Sequence, residues 1–281
     1  MPGETHIRQV VVAFGASQVP REMLEAAADL AAALHAEVRA LMVEESWLEQ
    51  VAEHPVTAEL YLGSRTIQPW DRDRLRLELR ARAEQTRRMV QSLAQSRGVR
   101  ISFEVAQGEV PAVLEQARGA GILSTVVASG RPALPSTARA RLAQFEALRT
   151  SRGFTLIHRE GRIDRLPLVL YYDASPSAVR ALEIVGVLHR GRRDEVCVLL
   201  PPSPDETASG LVGEIETWRR ENGVRVLVHQ LASIDESRLA HALGPFQRAL
   251  LVLPADAPWL RPGAAAASVL DAVSAVLVVR A

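Results

Sequence analysis

The chain has 281 residues, 48% of them apolar, and its 33 basic and 33 acidic side chains give a formal net charge of zero. Such a length suits two domains of ordinary size, and the apolar share can fill their cores, which excludes disorder over most of the chain. The balanced charge provides no global field toward nucleic acid or an anionic membrane.

All the Lys+Arg residues are Arg, and the sequence contains no Lys. That excludes the phosphate-cradling P-loop, Schiff-base catalysis and a receiver-type switch Lys. The single Cys197 sits in the apolar run VCVLL and reads as a small buried hydrophobe. The opening MPGETHIRQ runs straight into a short strand and lacks the pattern of a secretory signal. No apolar stretch approaches the ~20 residues of a membrane span. The expectation is a soluble, cytoplasmic protein without a metal, a membrane or a nucleic acid as partner.

Strand and helix signals alternate along the chain. IRQVVVAF (7–14) is short and β-branched, as a strand buried on both faces should be. REMLEAAADLAAALH (21–35) has helical apolar spacing, and VRALMVEE (38–45) is a second strand. An irregular stretch over 46–69 precedes an arginine-rich helix over 71–96. Strand ISFEVAQ, helix VPAVLEQARG, strand ILSTVVASG, helix STARARLAQFEALRT and strand FTLIHRE complete the first half.

The second half repeats this order in a shorter form. Strand LPLVLYYD passes through ASPS into helix AVRALEIVGVLHR, followed by strand EVCVLLPP, helix ETASGLVGEIETWRREN and strand VRVLVHQ. Helix DESRLAHALG, strand RALLVLPAD, helix AAAASVLDAV and strand AVLVVRA end the chain. Each half reads β-α-β-α-β-α-β-α-β, which implies a parallel sheet with right-handed crossovers and helices on both faces. The polar stretch REGRIDR (159–165) marks the boundary, giving domains 1–160 and 161–281.

YYDASPSAVRALEIVGVLH (171–189) resembles the opening of the universal stress protein family: a strand, an Asp, a small residue, a Ser and an Ala/Leu-rich helix. VVVAFGASQVPREMLEAAADLAAALHAEVRALMVEE resembles the same opening with Gly15 in place of the Asp, and SVLDAVSAVLVVR resembles the family's closing helix and strand. The resemblance implies two tandem Rossmann-like units, each a five-stranded parallel sheet in the order 3-2-1-4-5. Two separate sheets are expected instead of one continuous sheet. It also implies that the closing strands FTLIHRE and AVLVVRA pair antiparallel, making an intramolecular pseudo-dimer and leaving a homodimer open; exposed apolar edges invite such pairing.

In that family a loop after the fourth strand, Gly-x2-Gly-x9-Gly-Ser/Thr, governs ATP binding, because small backbones let amide groups approach the phosphates. In the second half the four places fall at Pro254, Ala257, Ala267 and Ser268; in the first half they fall at Ala128, Arg131, Arg141 and Leu142. The second half keeps the spacing and the Ser but none of the glycines.

Asp173 ends a strand at the crevice where open α/β sheets bind ligands, so it reads either as an adenosine contact or as a cap of the next turn. Ser175 lacks a GxSxG elbow and reads as a helix N-cap. The His residues are scattered without coordinating spacing, and Gly119 and Gly121 precede a strand where a dinucleotide fingerprint would follow one. The Arg-rich helix keeps Leu75, Leu79, Met89, Val90 and Leu93 as an inward stripe and reads as a solvated face with i,i+4 pairing.

Two functions follow. One is a non-catalytic regulatory protein acting through a protein partner, with a degenerate nucleotide loop and no cofactor. The other is an ATP- or AMP-binding module, with slow hydrolysis as a further option, using Asp173, Pro254, Ala257, Ala267 and Ser268.

Overall fold

The computed structural model describes residues 7–16, 21–44, 58–61, 66–69, 72–117, 122–127, 154–158, 162–233, 236–260 and 272–281. In the first half the strands are β1 (Gln9–Gly15), β2 (Glu37–Glu44), β3 (Ala58–Tyr61), β4 (Thr66–Pro69), β5 (Ile101–Gln107), β6 (Ile122–Val127) and β7 (Phe154–His158). Its helices are α1 (Arg21–Leu34), α2 (Arg72–Arg97) and α3 (Val110–Gln116). The second half contains β8 (Leu168–Tyr171), α4 (Pro176–His189), β9 (Val196–Leu200), α5 (Asp205–Asn222), β10 (Val226–Gln230), α6 (Glu236–Leu243), β11 (Leu250–Pro254) and β12 (Ala275–Val279). A 3-10 turn, Ile163–Arg165, lies at the sequence boundary.

The strands form one ten-stranded sheet in the order β10-β9-β8-β11-β12-β7-β6-β1-β2-β5. Its pairings are parallel except at β12–β7, where Val276 faces Ile157 and Leu277 faces Leu156 in antiparallel register. Reading inward from either edge gives third, second, first, fourth and fifth strand of that half. The expectation of two separate sheets is therefore corrected. Backbone pairing of the two closing strands cannot leave two sheets, because shared hydrogen bonds at both edges fuse them into one.

A second difference lies in the stretch read as irregular. There β3 and β4 pair antiparallel as a small ribbon of their own, with Leu60 opposite Ile67. The anticipated helices over 136–150 and 264–273 fall outside the described residues, except for the last positions of the second.

Successive strand residues point to opposite faces, and the two faces are covered differently. Val10, Val12 and Phe14 of β1, Leu168 and Leu170 of β8, and Leu277 and Val279 of β12 join one apolar core with α1, α2, α4 and α5. That core runs unbroken across the antiparallel seam. On the other face, α6 packs over Val169, Tyr171, Leu251 and Val276, and α3 packs over Val11, Ala13 and Leu41.

Charged and aromatic groups lock the halves together along the shared core. Arg180 of α4 holds its guanidinium over the Phe154 ring of β7, 4.8 Å from its centroid, and Nη1 donates to the Arg280 carbonyl at 3.2 Å. Asp29 of α1, buried to 6% exposure, meets Arg97 Nε at 3.0 Å. Arg162, beside the linking turn, approaches it at 3.7 Å. Burial raises the Asp29 carboxyl above its ordinary value, with Asp164 adding to the rise and the two arginines opposing it. Arg162 in turn pairs with Asp164 at 2.7 Å.

The arginine-rich α2 keeps an inward side at Ala83, Val90 and Leu93. Its outer arginines pair along the helix, as Arg74 does with Glu78 at 3.2 Å and Arg87 with Glu84 at 3.0 Å.

Phe154→Ala should cost ~3–5 kcal/mol, as a cavity opens at the seam and Arg180 loses its ring. Chemical denaturation should show one shifted transition for the whole chain. Burial pushes the Cys197 thiol up to about 12, so the folded state keeps a proton that the unfolded chain releases above ~8.5. Stability should then be fully present below that pH and fall by up to ~1.4 kcal/mol per unit as pH climbs toward the folded value. Cys197→Ala should flatten this slope in denaturant titrations at alkaline pH.

Candidate functional site

In an open parallel sheet, ligands bind beyond the carboxyl ends of the strands, where the chain order reverses. In the second half that point lies between β8 and β11, the paired first and fourth strands. Tyr171 ends β8 and Tyr172 follows it toward the opposite face, both buried. Tyr172 donates its hydroxyl to Glu214 Oε2 of α5 at 2.5 Å. Desolvation pushes the phenol pKa well above its usual value, and Glu214 reinforces the rise.

The turn from β8 into α4 is built from its own side chains. Asp173 Oδ1 accepts the Ser175 amide at 3.0 Å, and Ala174 takes a positive φ of 59° between them. Ser175 Oγ then accepts the Ala178 amide at 3.2 Å, capping a helix whose first residue is Pro176. Asp173 and Ser175 thus stand together at the mouth of the crevice, with one Asp173 oxygen committed to the turn.

Below them lies a polar knot that involves residues without a sequence motif. Ser177, buried on the first turn of α4, donates to Asp256 Oδ2 at 2.7 Å. Its oxygen accepts the Ala281 amide at 3.2 Å. This hydroxyl ties together the helix after the first strand, the loop after the fourth and the end of the chain. Nothing in the spacing of Ser177 and Asp256 signals the pairing, since 79 residues separate them.

The loop after β11 folds inward. Ala255 donates its amide to the Val279 carbonyl at 2.7 Å, and the Ala257 amide closes a turn onto the Pro254 carbonyl at 3.0 Å. Ala257 has no exposed surface, and Trp259 and Leu260 are nearly as buried. The Trp259 ring meets Tyr171 edge to face, with centroids 4.7 Å apart and planes at 76°. An indole and a buried methyl therefore occupy the side of the crevice carrying α6. Trp259 was not singled out in the sequence; its placement after the fourth strand was the available signal.

Of the candidate nucleotide-site residues in the second half, Asp173 after β8 and the loop positions Pro254 and Ala257 are brought to this one end of the sheet, and Ala267 and Ser268 lie outside the described residues. In the first half, Gly15 ends β1, and Arg82 of α2 donates to the Ala16 carbonyl at 3.3 Å. Ala128, Arg131, Arg141 and Leu142 lie outside the described residues. Among the described residues no group of three His, Cys, Asp or Glu side chains could hold a metal ion, and no helix is long and apolar enough to cross a membrane.

No family model matches the sequence, and no curated protein does. Solved structures do match in architecture. A universal stress protein from Archaeoglobus fulgidus superposes with a TM-score of 0.66 at 15% identity over 96% of each chain. A Pseudomonas aeruginosa protein described as a universal stress protein gives 0.54 at 16% identity, covering 98% of this chain and 93% of that one. The cytoplasmic domain of a prokaryotic cation chloride cotransporter gives 0.52 at 14% identity, covering 96% and 94%. At such identities the likeness is one of fold: the chain has the α/β architecture of universal stress proteins.

Proposed function

We propose that the chain is a tandem universal stress protein, with units 1–160 and 161–281, that acts as a non-catalytic regulator in the cytoplasm through a protein partner. In this reading its nucleotide loop is degenerate and it takes no cofactor. The observation that supports it best is the filled crevice beside β8 and β11, where Trp259 packs on Tyr171 and Ala257 is wholly buried.

A phosphate site needs several amides converging on the same oxygens with no side chain between. Here the Ala257 amide is already spent on Pro254, and the Ala255 amide on Val279. Pro254 contributes no amide at all. No Lys exists to compensate. Losing two phosphate contacts at ~1.5–3 kcal/mol each weakens affinity roughly a hundredfold or more. The architecture's occurrence as the cytoplasmic domain of a transporter agrees with a role exerted through another protein.

The deciding experiment is calorimetry with Mg-ATP and with AMP on the purified chain. The expected outcome is no binding in the micromolar range for either. Micromolar binding of one of them would replace this proposal with the nucleotide-binding reading centred on Asp173 and Ser268. Trp259→Ala should cost ~3–5 kcal/mol in chemical denaturation if the indole is a core element of the crevice.

A further inference from the structure

The fused sheet leaves two outer edges, β10 and β5, and they differ in kind. On β10, residues Leu227, Val228, His229 and Gln230 are all exposed. Leu227 at 43% and Val228 at 36% point to opposite faces, so both faces of this strand are open from its second residue onward, while Val226 packs against the core. The strand VLVHQ carries neither an acidic or Arg side chain nor a Pro, the devices that ordinarily blunt an edge. On β5, by contrast, Glu104 stands at the middle of the strand, ion-paired at 2.7 Å with Arg39.

From these edges we infer that β10 is a self-association edge: a second copy of this chain pairs its own β10 antiparallel across a two-fold axis at Val228. The hydrogen-bond phase of β10 fits that axis. The Arg225 carbonyl accepts from Val196, and the Leu231 amide donates to the Leu200 carbonyl, both toward β9. Alternation then turns the amides and carbonyls of Val226, Val228 and Gln230 outward. These outward groups are symmetric about Val228. Antiparallel pairing places Val228 opposite its own copy and Val226 opposite Gln230, satisfying roughly six backbone bonds with no residue out of phase.

Side chains agree with the same axis. Val228 meets Val228, whereas two-fold pairing of β5 about its middle would set Glu104 against Glu104, and like charges directly opposite are destabilising. Helix α5 packs on the face carrying Val198 and Leu200 of β9, and sheet extension brings two copies of it antiparallel. The first turn of α5 carries Asp205 and Glu206 and its last turn Arg219 and Arg220, so antiparallel copies run with opposite charges at matching ends. Near the middle of α5, Val212 is 42% exposed, and Gly213 has open space where a Cβ would stand.

The molecule already uses this mode internally. At β7–β12 two sheets join by an antiparallel pair, and α1 and α4 pack across that seam.

The test is the mass of the full chain by light scattering and sedimentation at tens of micromolar. The expected result is twice the 30.6 kDa of one chain, reduced to one chain's mass by Val228→Lys, which sets two cations opposite each other at the axis. Val105→Lys on the other edge should leave the dimer intact. Val228→Pro removes only the outward amide, which costs the single chain no ladder bond, and should also give monomer if Val228→Lys misfolds. Slow amide exchange at Val228 and Gln230 that becomes fast on dilution would place the contact on this strand. A monomeric wild type would overturn the inference. So would a dimer that survives both Val228 variants, or one dissociated by Val105→Lys instead. None of these outcomes depends on whether the chain binds nucleotide.

Discussion

The antiparallel pair between β7 and β12 is the contact on which the rest of the molecule depends. Both strands are buried along their whole length, so neither could stand at a solvent edge without exposing an apolar row and its free backbone groups. Joining them satisfies both edges at once and extends one apolar core beneath α1, α2, α4 and α5. The consequence reaches the charged groups. Asp29 can sit buried in α1 because Arg97 comes from α2 and Arg162 from the linking turn. Arg180 can cross the seam because Phe154 offers its ring there.

Most of the element order was legible in the sequence because its periods are clean. Buried parallel strands such as VVVAF and LLVLP are short β-branched or leucine runs, and the helices between them carry a one-sided apolar stripe. The fusion of two sheets into one was not legible in the same way, since a local pattern marks a strand as buried without saying what buries it. The meeting of β7 and β12 follows from edge chemistry together with the family resemblance, and their pairing in turn requires one sheet, which no local pattern displays. The β3–β4 ribbon escaped because Ala-Glu-Leu-Tyr and Thr-Ile-Gln-Pro are too short to show a period.

The site was legible only in part, for a related reason. Asp173 and Ser175 announce themselves as turn and cap residues, being short polar side chains between a strand and a helix. Ser177, Asp256 and Trp259 do not, because their partners are distant in sequence and the contacts form only once α4 and the β11 loop share one end of the sheet. A buried Ser on a helix flank reads as unremarkable until its hydroxyl is seen to join Asp256 and the last residue of the chain.

On the proposed reading, the packing beside β8 and β11 also limits what this end of the sheet can bind. Two obstacles stand there independently: backbone amides turned to internal carbonyls, and an indole packed against Tyr171. Relieving the first by substituting glycine would leave the second in place. Relieving the second would open space beside Tyr171 within the apolar cluster that also holds Ala257 and Leu260. Polar recognition at this end is left to the mouth, at Asp173 and the first turn of α4. Broad contact would then fall to the outside of the sheet and its helices. On the proposed reading, a partner would be met at strand edges and helix faces, where backbone pairing and charge complementarity can act without a cavity.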